Sequence, residues 1–500
     1  MTDPRAPVIV GVAQLNQRAG ELADAQEPIA LLAATARMAN DDAGADLIAR
    51  VDAVGVVQIL TWRYPDAAAR LANDLAIAPR ALVNTAVGGN SPQLLVNTFA
   101  EGIARGVHDV VLIGGAECGA TRGAARREGV RLDWVKDGRA PATEFLGDDR
   151  AGTNDYENAH LALEPVAVYP LFETALRHRA RRTVAEHQQF LGELWSNFAA
   201  VAATNPAAWD RTPYTAAQIA TVAPSNRVVC FPYTKRMCAH ANVDQAAALI
   251  MCSHETARAA GVPDDRMVFV HGGADAHDHW WFTERNSFTE SPAICAVTAD
   301  TLAASNLGVD DIARFDLYSC FPSAVELAVD ALALNATDSR PLTVTGGLAY
   351  AGGPWNNYPT HSVAAMVDAC RADPGSFGLI TALGWYATKH SAGVYSTAAP
   401  TDGFRRVDPA ATQAAVDDTP TRAVAASYTG AAVVEATSVP HDRNGTPTHA
   451  IVSAITTDGQ RVLATTTDPA LLASVCTEAW EGRTVEIRMV EGTGTHTLYG

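Results

Sequence analysis

Two nearly unbroken apolar runs set the limits on this chain. Pro7 to Leu15 (PVIVGVAQL) and Asp109 to Glu117 (DVVLIGGAE) place hydrophobic side chains at consecutive positions rather than alternate ones. A strand with one wet face alternates, so runs of this kind belong in a sheet covered on both sides. Segments with helical periodicity separate them, at Pro28 to Ala43, Asp66 to Leu75 and Pro92 to Gly106, with further strands expected at Val51 to Leu60 and Ala81 to Ala86. Strand and helix in alternation imply βαβ units around a parallel sheet.

From about Cys118 to Ser225 the sequence turns polar, with helices expected at Leu171 to Arg182 and Ala185 to Ala203, as in an insertion lying over the sheet. Alternation then resumes. Val243 to Ala259 reads as a helix, Met267 to His271 as a strand, Ser291 to Ser305 as a helix, Phe315 to Cys320 as a strand and Pro322 to Leu334 as a helix. A strand at Leu342 to Thr345, a helix after Pro359 and strands at Phe377 to Leu383 and His390 to Ser396 complete a second block. The shared layout of the two blocks suggests internal duplication.

Beyond Pro400 the segments Val424 to Pro440, Ala450 to Thr456, Arg461 to Thr467 and Thr484 to Val490 are β-rich, with turns at Asn444-Gly445 and Asp458-Gly459 and a capped helix at Asp468 to Thr477. Such a run fits a small closed barrel, of the OB type. The expected domains are 1–125 with 226–290, an insertion at 126–225, a second half at 291–400 and the barrel at 401–500.

The chain has 500 residues, 48% hydrophobic and 18% charged, which allows two to four domains with large cores. Its net charge of −18 argues against nucleic acid as a partner, since a polyphosphate backbone needs a broad basic face. The absence of a long apolar run and of a basic leader implies a cytoplasmic protein with no membrane span. The eight cysteines are scattered, and no His or Cys grouping has metal-ligand spacing, so neither disulfides nor a metal site is expected. The three histidines of His271 to Trp281 (HGGADAHDHWW) are too unevenly spaced for a ligand set.

The stretch Thr343 to Ser362 (TVTGGLAYAGGPWNNYPTHS) sets glycines between a strand and a helix, where backbone N–H groups can approach a ligand. It resembles the Gly-Gly and Gly-His-Pro segment of the thiolase superfamily. Asn84 to Glu117, Val243 to Ser253, DLYSCFPSAVE at Asp316 to Glu326 and ALGWYATKHSAGVYS at Ala382 to Ser396 are similar to the same family in collinear order. The likeness is greatest to the sterol-carrier-protein-type thiolases and to bacterial thiolase-like proteins with a C-terminal β-domain, and it covers about residues 7 to 398. It implies an α/β thiolase fold of two duplicated βαβαβαββ halves in five layers (α-β-α-β-α), here with the inserted loop region and an added C-terminal antiparallel β-barrel. It also implies a coenzyme A thioester as substrate or ligand, no permanently bound cofactor, and a monomer or a homodimer formed through the strand after the nucleophile's helix.

Against the thiolase pattern, Gly89 stands at the nucleophilic cysteine, Gly353 at the base histidine and Ala382 at the second cysteine, while Tyr318-Ser319-Cys320-Phe321 replaces the segment holding the oxyanion water. Cys320, at a strand end before a helix, is the remaining candidate nucleophile, with His361 or His390 as base, Tyr318 as oxyanion donor and Ser91 as a lesser nucleophile. Gly346, Gly347 and Gly353 are candidates to line the ligand. Arg179 and Arg182 of LRHRARR, and Lys235 and Arg236 of PYTKRM, could meet coenzyme A phosphates. The expected function is an acetyl-CoA acetyltransferase-like acyltransferase with a rebuilt site. The alternatives are a silent acyl-CoA binding or scaffold protein, and a carbon–carbon lyase acting on a CoA-linked substrate.

Overall fold

The computed structural model describes residues 2–18, 20–135, 144–335 and 338–499. The chain begins with β1 (Pro7–Asn16), α1 (Pro28–Asp42), β2 (Ala53–Val56), α2 (Ala67–Asp74), β3 (Ala81–Thr85), α3 (Ser91–Ala104) and β4 (Val110–Cys118). The insertion carries α4 (Gly119–Glu128), β5 (Glu144–Leu146), α5 (Asp155–Ala159), α6 (Pro165–Arg179), α7 (Val184–Thr204), α8 (Ala216–Ala220), β6 (Val228–Phe231) and β7 (Tyr233–Thr234). Residues 136–143 of that insertion lie outside the described residues. Next come β8 (Asp244–Ser253) and α9 (His254–Ala260), then a second half of β9 (Val268–His277), α10 (Pro292–Ala304), β10 (Ile312–Asp316), α11 (Pro322–Ala331), α12 (Gly347–Tyr350), α13 (Tyr358–Ala372), β11 (Phe377–Gly384) and β12 (Lys389–Ser396). After β13 (Arg405–Arg406) and α14 (Pro409–Asp417) the chain ends in β14 (Gly430–Pro440), β15 (Ala450–Thr456), β16 (Arg461–Thr466), α15 (Pro469–Val475), β17 (Thr484–Val490) and β18 (Thr495–Tyr499).

The first half-sheet runs β3–β2–β4–β8–β1 and the second β10–β11–β12–β9; they join only where Val8 and Ile9 pair with Phe269 and Val268. Helices α3 and α13 lie between the half-sheets. Leu95, Val96, Phe99, Val363 and Val367 share one core with Val111, Leu249 and Met251 of the first half and Val270, Ile380 and Tyr395 of the second. Helix α1 covers the outer face of the first half through Ile29, Leu32 and Ala36, and α10 and α11 cover the second through Ile294 and Val325. The result is the α-β-α-β-α layering of thiolases. Both sheets are sealed on two faces, which explains why their strands do not alternate.

Two expectations need correction. Val243 to Ala259 is mostly the strand β8, antiparallel to both β1 and β4, and only its end forms α9. Alanine-rich apolar sequence fits either state, and burial of all ten β8 residues between two strands decides it. Leu342 to Thr345 is not a strand. The Pro341 and Leu342 carbonyls accept from Phe315 and Leu317 N–H along the edge of β10, but the next N–H groups, of Val344 and Thr345, turn instead to the buried Asp316 carboxylate.

The tail is a closed five-stranded barrel, β14–β15–β16–β18–β17 and back to β14. Every contact is antiparallel except the single β16–β18 pair Thr465↔Thr497, and α15 lies between the third and fourth strands. This order fits the OB type. Strand β18 escapes sequence reading because THTLY is short and follows a glycine-rich turn. The barrel is seated on the insertion: Thr174 Oγ donates to the Thr437 carbonyl at 3.0 Å and accepts from the Thr437 N–H at 2.9 Å, and Arg177 pairs with Glu481.

Candidate functional site

Four loops converge at the ends of β3, β10 and β11 and at the glycine-rich turn. The Gly88 N–H donates to Asn356 Oδ1 at 3.0 Å, which ties the β3–α3 loop to the turn preceding α13. A Cβ on Gly384 would sit 3.1 Å from the Gly88 Cα, so the end of β11 touches the same loop. The Gly353 N–H donates to the His240 carbonyl at 3.0 Å, and the Ala239 N–H to the Cys320 carbonyl at 3.0 Å, which brings the segment after β7 to the centre.

The space before Gly89 is filled. A Cβ on Gly89 would overlap the Tyr318 hydroxyl and the Leu383 carbonyl oxygen and lie 2.7 Å from Tyr318 Cζ. Tyr318 is itself buried, edge-on to the Tyr358 ring at 5.6 Å between centroids, and burial holds its phenol well above the usual range. No side chain projecting from position 89 could reach a substrate there without displacing both obstacles.

Cys320 and the two histidines do not form an activated nucleophile. Cys320 is 9% exposed, and burial pushes its thiol up to about 12. A thiol at that value is almost wholly protonated at neutral pH. His361 Nδ1 meets Gln14 Oε1 at 3.0 Å, and His390 Nε2 meets the Ala387 carbonyl at 3.0 Å. Burial lowers the first ring to about 3 and the second to about 4, so both stay neutral. No hydrogen bond joins either ring to Cys320 among the described residues. Ser91 Oγ donates to the Ala86 carbonyl at 2.9 Å.

Two glycines of the stretch expected to line a ligand are packed against a helix. The Gly346 and Gly347 N–H groups donate to the hydroxyls of Thr343 and Thr345, and both glycines have positive φ (101° and 77°). A Cβ on Gly346 would lie 2.6 Å from the Ala202 N and Cα, and one on Gly347 2.6 Å from Phe198 Cδ1, so these glycines admit helix α7. Asp316, at the end of β10, organises the stretch. It accepts from the Thr343, Thr345, Tyr358 and Ser362 hydroxyls and from the Val344 and Thr345 N–H groups.

A cavity of about 430 Å³ opens between the insertion and this turn. Val166, Phe321, Ala349 and Tyr350 form its apolar wall, and Lys235, Arg236, His240 and the carboxylate of Asp210 its polar side. Arg236 stacks on Tyr214 at 4.3 Å from the ring centroid and donates to the Gln218 carbonyl at 2.7 Å, which fixes the guanidinium at the cavity. Arg179 instead pairs with Asp330, and Arg182 faces Glu326 and lies over Phe190, so neither lines the cavity. An apolar trough with cations along one side suits a long neutral arm ending in an anionic head.

Among the described residues, Glu173, His187 and Glu326 bring possible metal-ligand atoms within 4.8 Å of one another. His187 Nε2 meets Glu173 Oε1 at 2.7 Å and Arg182 stands 3.4 Å from Nδ1, while Glu326 Oε1 is buried without a hydrogen-bond partner. The histidines of the HGGADAHDHWW stretch do not converge: His271, His277 and His279 reach Ala398, Asp278 and Thr419 respectively.

The family description "thiolase-like protein type 1 additional C-terminal domain" matches residues 411–492. The crystal structure of a monomeric SCP2-thiolase-like protein type 1 from Mycobacterium smegmatis is 31% identical, with a TM-score of 0.85, over 100% of both chains. An Ltp2-ChsH2(DUF35) aldolase shares 20% identity at a TM-score of 0.60, covering 79% of this chain and 98% of that one. Human mitochondrial 3-ketoacyl-CoA thiolase in complex with CoA shares 15% at 0.59, covering 80% of this chain and 100% of that one. These last two are similar in fold alone. No curated protein matches the chain.

Proposed function

The chain belongs to the SCP2-thiolase-like proteins of type 1, and from that membership we propose that it binds a coenzyme A thioester without cleaving it by the thiolase route. The observation that carries this reading is the overlap of any Gly89 side chain with Tyr318 and Leu383, together with a cavity of about 430 Å³ that stays open between the insertion and the glycine-rich turn. The human thiolase of like fold is seen with CoA, which makes that ligand the natural candidate. Lys235 and Arg236 would meet its phosphates, and the wall of Val166, Phe321 and Tyr350 its pantetheine arm. Such a protein would hold or present acyl-CoA within lipid metabolism in the cytoplasm.

Acyl transfer through Cys320 is the weaker reading, because a thiol held near 12 with no base beside it is a poor nucleophile. A monomer is the favoured state. β4, the strand after α3, is flanked by β2 and β8, and the outer edge of β3 is paired with β5 through Val83↔Glu144 and Asn84↔Phe145. The relative from Mycobacterium smegmatis is itself monomeric.

Calorimetric titration with CoA and acetoacetyl-CoA tests the proposal, alongside a thiolysis assay. Binding is expected, weakened roughly tenfold by Arg236→Ala through loss of one charge-assisted contact, with no thiolysis above background. Turnover abolished by Cys320→Ser would overturn the reading in favour of acyl transfer.

A further inference from the structure

The chain has only three lysines, Lys136, Lys235 and Lys389, among 37 basic residues. Of the two that the structure describes, one is buried. Lys389 opens β12 and is 4% exposed, with Nζ donating to the carbonyls of Val87 and Asp148. A Cβ on Gly88 would lie 2.9 Å from that Nζ, so the amine stands against the β3–α3 loop on the opposite side from Tyr318's obstruction of Gly89.

Lys389 lies on the floor of a second cavity of about 360 Å³, walled by Asn90, Leu94, His277 and Trp280 and opening past the exposed Pro409 and Ala410. Asn90 lines the same space. It is 7% exposed, and its Oδ1 has no hydrogen-bond partner. Buried acceptors are normally paired, so an unpaired one on a residue that lines the cavity, packed beside Gly88 and Gly384, leaves hydrogen-bonding capacity unused next to Lys389.

We propose that Lys389 is an acyl-accepting amine, which takes the acyl group of a small thioester entering this second cavity. A neutral amine has two N–H bonds and one lone pair. With Val87 and Asp148 accepting both N–H bonds, the lone pair is free for the cavity. Burial lowers the ammonium to about 8, opposed by Asp148 and Asp149 and assisted by Arg150. At about pH 7.5 roughly a quarter of such groups are neutral, against roughly a thousandth at the ordinary lysine value. In the step itself the lone pair attacks the thioester carbonyl, the N–C bond forms, and the C–S bond breaks with its electron pair leaving on sulfur. The proton released from nitrogen goes to the thiolate, so the products are an amide and a free thiol.

The wild-type protein is incubated at about pH 7.5 with acetyl-CoA and, separately, with S-acetyl-N-acetylcysteamine, a thioester without the nucleotide. Peptide mass spectrometry then follows all three lysines, with thiol release measured in parallel. Lys389 is expected to gain an acetyl group roughly tenfold faster than the exposed Lys235, as desolvated reactive lysines do, and Lys389→Arg to remove that adduct. A lysine that only ties two carbonyls together would be the slowest to react. An unmodified Lys389 beside an acetylated Lys235 therefore overturns the proposal. Acylation by the small thioester without measurable CoA binding would sink the binding function and leave this inference standing. CoA binding with an inert Lys389 would do the reverse.

Discussion

Replacing Gly89 with alanine adds a single methyl group at the point on which the functional reading turns. That methyl overlaps two groups of different mobility: the end of the Tyr318 side chain and the main-chain oxygen of Leu383 in β11. Overfilling a packed site costs about 1–3 kcal/mol, while a Gly→Ala change returns up to about 1 kcal/mol by restricting the unfolded chain. The net loss should be about 1–2 kcal/mol, or a fall of about 1–2 °C in the thermal midpoint for a chain of this size. Calorimetry on the wild type, the single variants Gly89→Ala and Tyr318→Ala, and the double variant separates the two obstacles. Tyr318→Ala should relieve part of the Gly89→Ala cost, with a coupling of at least about 0.5 kcal/mol as expected of residues in contact, and the Leu383 carbonyl should keep the rest. A Gly89→Ala protein as stable as the wild type would show that the space is free and would remove the ground for a silent thiolase site. So would thiolysis restored by Gly89→Cys alone.

Asp316→Asn turns one of two fully engaged acceptor oxygens into a donor facing other donors, and should cost at least about 3 kcal/mol, read as a lower urea midpoint with loss of CoA binding. His361 and His390 are lowered by burial to about 3 and about 4, so below the unfolded value of about 6.5 the unfolded chain binds more protons. Stability should therefore be full above pH about 6.5 and fall toward pH about 4 by roughly 1.4 kcal/mol per unit for each ring, and urea midpoints measured across that window check the slope. Iodoacetamide should reach the exposed Cys295 first and leave Cys320 untouched in the folded protein, as mass spectrometry of the alkylated peptides would show. Selective labelling of Cys320 would refute the burial argument.

The layered architecture was readable because it rests on local pattern. Consecutive apolar residues in β1 and β4 require a sheet covered twice, and the helices between them supply the cover. The substitutions at Gly89, Gly353 and Ala382 were visible too, since they are identities at aligned positions. What filled the vacated space was not, because Tyr318 and Gly89 are far apart in sequence and meet only through the packing of the two halves. The same reason hid Asp316, whose six donors come from two segments, the turn at Thr343–Thr345 and helix α13, and the strand character of β8, which its two neighbours impose.

By itself, then, the order of residues determined the layers, the family and the loss of the usual reactive groups, all consequences of short-range periodicity and of which side chain stands where. Tertiary structure alone decided that Cys320 is sealed away from a base, that Gly346 and Gly347 admit a helix, and that Lys389 is buried against a cavity. Burial, pKa and room for a side chain depend on atoms brought together from distant parts of the chain, and no local pattern records them.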